Sequence, residues 1–438
     1  MGNRETQKCM RIRTGGVLFA MLMVGVVASG AEARVFDVRT FGAAGDGVTK
    51  DTAAIQKAID AAAAAGGGEV LLSGGMFLSG SLYLKDNIDF HIAKGAVLKG
   101  SKDLGDYNSW DVCPQNTRSI SENTMGGHLL LCIERRNVTI RGPGCIDGNS
   151  AYFAVDAKGR PYAQQADIPW RPGQMVYFVE CARIRLFDLE LANAPYWSCF
   201  LHGCENVEIF RLNVHTMREP YSHNGDGLDI DCCSRVTVRN CRIDTSDDSI
   251  AIRANRFRLK NPRDCEFVTV SDCDLSSDKC AIRVGVGDGL IHNVRVSDIR
   301  VRKSRTAVSF CPNWSPGGGS ASMRDLRFTN FTVDCKTFFR MLSRWAKDAS
   351  IEDVTLDGFR GTTSEPAYAL TYPGCPFRGI LFRNVDLPGG IIVYGTDGIQ
   401  IEGGSLEKTR LTPEREAELR KLTEDYLIRR LQDGYPHT

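Results

Sequence analysis

Apolar and polar residues alternate in short runs along most of the chain: RNVTIRG, CARIRLFDL, CENVEIFRL, CSRVTVRNC, CEFVTVSDC, IHNVRVSDI, MRDLRFTNF, IEDVTLDGF, FRGILFRNV and TDGIQIEGG. A period of two predicts strands with one buried face, and runs this short are unstable alone. Their central apolar residues are Val138, Ile184, Val207, Val236, Val268, Val294, Leu326, Val354, Ile380 and Ile399; the intervals are 19 to 32 residues, apart from a first gap of 46 with room for two turns. Repetition of one strand-sized unit predicts a solenoid, in which each rung hides its inner face against its neighbours. The intervals are too small for four-stranded propeller blades, which need about 40 residues or more. The pattern therefore predicts an all-β, single-stranded right-handed parallel β-helix, its hand following the rule for parallel crossovers. Asparagine, aspartate and glycine between the runs suit its turns.

A solenoid must close its ends, because an open terminal coil exposes apolar core and unpaired strand edge. The stretch TKDTAAIQKAIDAAAAAGGG predicts an N-terminal capping helix from about Asp51 to Ala65, with Ala54, Ile55, Ala58 and Ile59 on one side. Near the other end, LTPEREAELRKLTEDYLIRRL predicts a C-terminal helix with Thr412 as its N-cap, Pro413 at its first position and an apolar stripe of Leu419, Leu422, Tyr426 and Leu427. No linker divides residues 34–438, which are expected to form one β-helix domain.

Residues 1–33 read differently. Arg11 and Arg13 precede the apolar run Val17 to Ala28, and SGAEAR offers small residues around a break after Ala33. That is the layout of a secretory signal peptide, with an apolar run shorter than the roughly 20 residues that span a bilayer. Export to the periplasm or the extracellular space is expected, without stable membrane insertion after cleavage. With 54 basic and 53 acidic side chains and no basic block, the chain is not expected to bind nucleic acid. Many of the 16 cysteines lie inside strand-like runs, Cys241, Cys265 and Cys273 among them, and are read as buried thiols, leaving room for one or two disulfides. Cys232 and Cys233 are adjacent, without zinc-ligand spacing, and no metal or cofactor is expected. No pattern specifies an oligomeric state.

The stretch TSDDSIAIRA places Asp247 and Asp248 at the mouth of a predicted strand. Asp226, in NGDGLDID, precedes them by 21 and 22 residues, about one coil. If register is kept, the three face one surface. Crowded carboxylates raise one another's pKa and can leave one protonated near neutrality. Glycoside hydrolysis uses that asymmetry: one acid protonates the leaving oxygen while a carboxylate activates water. Ordinary turn chemistry and calcium binding are the other readings of the same residues.

The segments NAPYWSCFLHGCENVEI and HNGDGLDIDCCSRVTVRNCRIDTSDDSIAIRA closely resemble the centre of the polygalacturonase family of pectin-degrading glycoside hydrolases (family 28). FDVRTFGAAGDGVTKDTAAIQKAIDAAAAAGGGEVLLSGG looks like the first coil and cap shared by that family and related secreted β-helix enzymes. The resemblance implies a pectin-lyase-like solenoid and inverting hydrolysis of pectin-related, galacturonide-containing saccharide. It places the family's Asn-x-Asp motif on Asn224, Gly225 and Asp226 and its adjacent pair on Asp247 and Asp248. By that carry-over Asp247 is the general acid, Asp226 and Asp248 hold and activate water, and Asn224 supports Asp226 or binds substrate. Two motifs depart from the family: the region of its Gly-His-Gly reads SSDKCAIRVGVGDG, with Lys279 or Cys280 near the histidine's place, and its Arg-Ile-Lys is replaced by KSRTAVSF, with Lys303 and Arg305 nearby.

SDDSIAIR and SSDKCAIRVG repeat one another, so Arg253 and Arg283 are expected to stack, and Lys279 to enter near the acids. Arginine can hold a sugar carboxylate by two bonds. Arg218, Tyr221 and His223, just ahead of Asn224, complete the expected substrate-binding set. Trp197 reads as core; Trp110, Trp170, Trp314 and Trp345 lie in irregular stretches that suit sugar subsites. Long inserts at 104–127 and 151–176 suggest a cleft closed at one end, hence exo action or a short substrate. A β-helix lyase or epimerase, using Lys279 or Arg283, and a non-catalytic carbohydrate-binding solenoid are the alternatives.

Overall fold

The ten repeated apolar residues stack in one line. Val138 pairs in register with Ile184, Ile184 with Val207, and the line continues through Val236, Val268, Val294, Leu326, Val354 and Ile380 to Ile399. All but Val207 and Ile399 have no exposed surface, and those two are 1% and 2% exposed. The computed structural model that shows this describes residues 34–162, 167–313, 319–343, 346–371, 374–409, 412–414 and 417–418. The predicted signal peptide, Trp314, Trp345 and the apolar stripe of the C-terminal helix lie outside those residues.

Each coil of this right-handed parallel β-helix supplies three strands, illustrated by Leu228–Asp231, Ser234–Arg239 and Arg242–Thr245. These pair in parallel with Ile250–Ala254 and with the two halves of Cys265–Ser277, so three sheets run the length of the solenoid. The residue before each stacked apolar position turns the chain from one sheet into the next. It has positive φ in rung after rung: Asn137, Arg183, Asn206, Arg235, Phe267, Asn293, Asp325, Asp353 and Gly379. Asparagine, aspartate and glycine tolerate that region best, which is why they recur there.

The 46-residue gap after Val138 holds one coil, not two. Ala182 pairs directly with Arg136, and the surplus chain leaves the solenoid as the 151–176 insert. The helix Thr52–Ala64 closes the N-terminal end with Ala54, Ile55, Ala58, Ile59 and Ala62 buried. Its preceding residue, Asp51, is 2% exposed and accepts from the backbone N–H groups of Ala44 and Gly45 at 2.6 and 3.0 Å. In the C-terminal coils the interior changes from aliphatic to aromatic, through Phe310, Phe328, Phe331, Phe338, Phe339, Phe359 and Phe382. All fifteen described cysteines are free thiols, mostly buried, with Cys132 and Cys181 sulfurs 3.5 Å apart on neighbouring rungs.

Candidate active site

Three neighbouring coils bring the acids together. The backbone N–H of Gly227 donates to the Asp248 carbonyl at 2.9 Å and that of Asp247 to the Gly225 carbonyl at 3.3 Å, so the Asn224–Asp226 turn lies directly against the Asp247–Asp248 turn. Two glycines permit the contact. A Cβ on Gly225 would lie 2.5 Å from Ser246 Oγ and 2.9 Å from Thr216 Cγ2; one on Gly227 would lie 2.4 Å from the Ser249 carbonyl oxygen. The NGDG sequence is thus what lets one acidic turn nest on the next.

Asp226 and Asp248 are 5% and 4% exposed, and Asp247 is half-buried. Burial, followed by the charge of Asp248, pushes Asp247 up to about 7, against the pull of Arg283 and Lys279. Burial also raises Asp226 well above the ordinary carboxylate range, and Asp229, Asp247 and Asp248 add to it. Protons in such a cluster belong to the group rather than to single residues. Arg283 is held against Asp248 through its Nε and, at 3.1 Å, its Nη2, and that pairing raises the guanidinium above its usual value despite burial.

The expected stacking of Arg253 on Arg283 does not occur. Ile250 pairs with Ile282, so Arg283 lies beside Ala251, while Arg253 lies beside Asp231 of the preceding rung. The repeated AIR sequence is offset because its second copy has one residue fewer between acid and strand. Arg253 instead bonds Asp229 Oδ1 at 3.2 Å, approaches Asp231 Oδ2 at 3.7 Å and lies 4.6 Å from the ring centre of Trp197. Trp197 packs partly buried on the core, as its position suggested.

The other predicted residues divide into those facing the acids and those bracing them. The Tyr221 hydroxyl donates to the Ser246 carbonyl at 2.7 Å, and burial pushes the phenol up to about 12. His223 packs edge-on against Tyr221, and burial with the nearby Arg171 charge lowers it, leaving the ring neutral at pH 7. Arg218 is spent on protein acceptors: Asp244, Asp278 and, at 3.0 Å, the Thr245 carbonyl. Both ends of the Asn224 amide are occupied, its oxygen by Arg171 at 2.9 Å and its nitrogen by Glu122 at 3.3 Å.

Sequence reading passed over Asp229, Glu122 and Arg171. Asp229 has no exposed surface, its Oδ2 has no hydrogen-bond partner among the described residues, and burial pushes it up to about 7. Its signal was present, a second aspartate in NGDGLDID three residues after the first. Glu122 and Arg171 come from the two inserts and carry no periodic signal.

Beyond the acids the register continues as a line of cations. Ile250 pairs with Ile282, Cys280 with Thr306 and Thr306 with Thr337, which puts Lys279, Arg305 and Lys336 on successive rungs after Asp247. Arg305 and Lys336 line a cavity of about 690 Å³ together with Lys303, Tyr221, Asp278 and Asp334. Of the two carboxylates there, Asp278 is held by Arg218 and Asp334 accepts from the Thr362 hydroxyl at 3.2 Å.

A buried acid cluster with one exposed proton donor, at the edge of a basic cleft on a parallel β-helix, can be set against known proteins. Residues 115–335, half of the chain, match the model of Glycosyl hydrolases family 28. The chain belongs to that family. Family 28 membership makes it a glycoside hydrolase of polygalacturonase-like type, and the matched span contains every acid and every rung of the site. Residues 35–144 match a second model, Rhamnogalacturonase A/epimerase, pectate lyase-like. An exo-poly-alpha-D-galacturonosidase of Dickeya chrysanthemi is 28% identical over 262 residues, covering 50% of this chain and 42% of that protein. A probable polygalacturonase of Vitis vinifera is 25% identical over 406 residues, covering 86% and 78%. This chain thus spans less than half the length of the first relative and about three quarters of the second. The fold is shared with the exopolygalacturonase from Thermotoga maritima, at a TM-score of 0.69 and 19% identity over 86% of this chain and 93% of that one. Within the family 28 frame, Lys279 stands on the rung above Asp247 where the family pattern has histidine, and Lys303 and Arg305 stand in the next turn.

Proposed function

We propose that the chain is an exported family 28 hydrolase that cleaves glycosidic bonds of pectin-related, galacturonide-containing saccharide with inversion at the anomeric carbon. The observation that carries the reading is the pairing of a half-buried Asp247, raised to about 7, with an Asp248 anchored by Arg283 on the same turn. Asp247 gives its proton to the departing glycosidic oxygen. Asp248, assisted by Asp226 from the neighbouring rung, takes a proton from water as the water oxygen bonds the anomeric carbon. The C–O bond breaks, one new hydroxyl forms on each product, and the cluster recovers its starting proton count.

The cleft favours an acidic sugar. Lys279, Lys303, Arg305 and Lys336 pair with no carboxylate among the described residues, and three of the four line the cavity beside Tyr221. Sugar carboxylates supply the missing counter-charge. The names of the relatives point the same way, and the lyase-like match covers N-terminal coils that hold none of the acids.

The test is a product screen on acidic and neutral oligosaccharides, with anomeric configuration followed by NMR and Asp247→Asn in parallel. Inverted product and a loss of about 10²- to 10⁴-fold in kcat are expected. Retained anomer as first product, or an unchanged kcat, overturns the assignment, and products with an unsaturated sugar ring would indicate a lyase.

A further inference from the structure

The outer face of the sheet that carries the acids differs on the two sides of them. On the N-terminal side it is covered. Tyr177, Phe200 and His202 point outward from their strands, yet are 1%, 9% and 3% exposed. His128 from the first insert's end stacks on Tyr177 at 4.4 Å, and its ring nitrogens bond the Gln174 carbonyl at 2.8 Å and Asn116 Oδ1 at 3.0 Å. The segment after Ala254 closes over the same rungs. Glu180 accepts from the backbone N–H groups of Lys260 and Asn261 at 3.2 and 2.8 Å, Lys260 pairs with Glu134, and Gln115 bonds both glutamates. Leu259 is 6% exposed and packs over Gly203.

The cover ends as a wall directly against the acids. Arg171, 2% exposed, donates to the carbonyls of Pro195 and His223, both at 2.7 Å, and to Asn224 Oδ1. Glu122 bonds the Asn224 amide and the Tyr196 hydroxyl, and its charge reaches Asp247. The two inserts also brace each other: Met125 N–H donates to the Arg171 carbonyl at 2.9 Å and Arg171 N–H to the Asn123 carbonyl at 3.0 Å. On the C-terminal side nothing comparable covers the described residues. Lys303, Arg305, Lys336 and Arg340 are exposed, and the cavity opens there.

The geometry points to a blind cleft: a saccharide chain enters over the cationic C-terminal coils, its end stops against the Glu122–Arg171–Asn224 wall, and the enzyme cuts only near that end. This inference rests on the glycosidase reading of the same acids and adds the mode of attack. Coil spacing is roughly 4.8 Å, about the length of one sugar unit, so a wall on the rung beside the acids leaves room for one or two units behind the bond cut. Internal cleavage would require the chain to pass through the insert packing, which is held by buried polar contacts rather than by exposed side chains alone.

The test uses the intact wild-type protein on long polygalacturonate, following viscosity, total reducing ends and product sizes from the earliest time points. The expected result is mono- or disaccharide alone among early products, viscosity falling slowly relative to the bonds cut, and a rate reduced at least about tenfold when the chain ends are blocked by bulky groups. A ladder of intermediate oligosaccharides at early times, or an unchanged rate on end-blocked polymer, overturns the blind cleft while leaving the hydrolase reading in place. Absence of cleavage on every acidic substrate, short or long, instead removes the hydrolase reading itself.

Discussion

Replacing Arg283 by methionine tests the charge balance of the site. The Arg283 side chain is 12% exposed and that of Asp248 5%, and the guanidinium meets both carboxylate oxygens. Methionine has similar length and no charge, so the carboxylate is left buried and unpaired, at a cost of about 3–5 kcal/mol. The cost applies only while Asp248 is ionised. In the variant, burial without a counter-charge favours the neutral acid, and the folded chain keeps a proton that the unfolded chain releases above about pH 4. Stability of Arg283→Met therefore falls as pH rises from there, and its deficit against wild type is widest at neutral pH. Arg283 also holds Asp247 down, so its loss lets Asp247 climb above about 7. The alkaline limb of kcat/KM, which requires a protonated Asp247, moves to higher pH. Urea unfolding at about pH 5 and about pH 7.5, with a pH–rate profile, reads both effects. Equal destabilisation at the two pH values together with an unmoved alkaline limb would refute the reasoning.

Three further outcomes follow from the same geometry. Asp229 is raised to about 7, chiefly by burial, so between about pH 4 and 7 the native state holds a proton the unfolded state has lost, and stability falls as pH rises through that window; Asp229→Asn flattens this slope in a series of Tm measurements. Gly225→Ala drives a Cβ to within 2.5 Å of Ser246 Oγ and 2.9 Å of Thr216 Cγ2. It should cost about 1–3 kcal/mol in unfolding and, by displacing the Asp226 turn, about 10²-fold in kcat; a stable variant with full activity would contradict the nested-turn account. Lys303→Met and Arg305→Met should raise KM for acidic oligosaccharides with little change in kcat, and leave methyl-esterified substrates unaffected; a kcat loss equal on both substrates would remove these cations from substrate binding.

The repeat was legible because its determinants are local. Val236, Val268 and Val294 announce a rung each by alternation, and the residue before each supplies the corner. The capping helix was legible for the same reason, its buried residues Ala54, Ile55, Ala58 and Ile59 being the ones its spacing selects. Asp226, Asp247 and Asp248 were found because their separation equals one coil. The first gap was misjudged because an insert and an extra coil look alike in residue count. The Arg253–Arg283 pairing failed because a motif repeat is not a register: one residue less in the second copy moves the arginine two positions along the strand relative to its neighbour.

The sequence by itself determined the winding, since burying one face of many short strands has one economical solution when the strands recur at coil-sized intervals. It also determined which acids share a surface. The tertiary structure alone decided their chemistry and reach: that Arg283, rather than Lys279 or Arg253, neutralises Asp248; that Asp229 joins the buried cluster; and that Glu122 and Arg171 meet at Asn224. Charge interactions and desolvation depend on distances across coils and on what the inserts cover, and neither is written in the periodicity of a single strand.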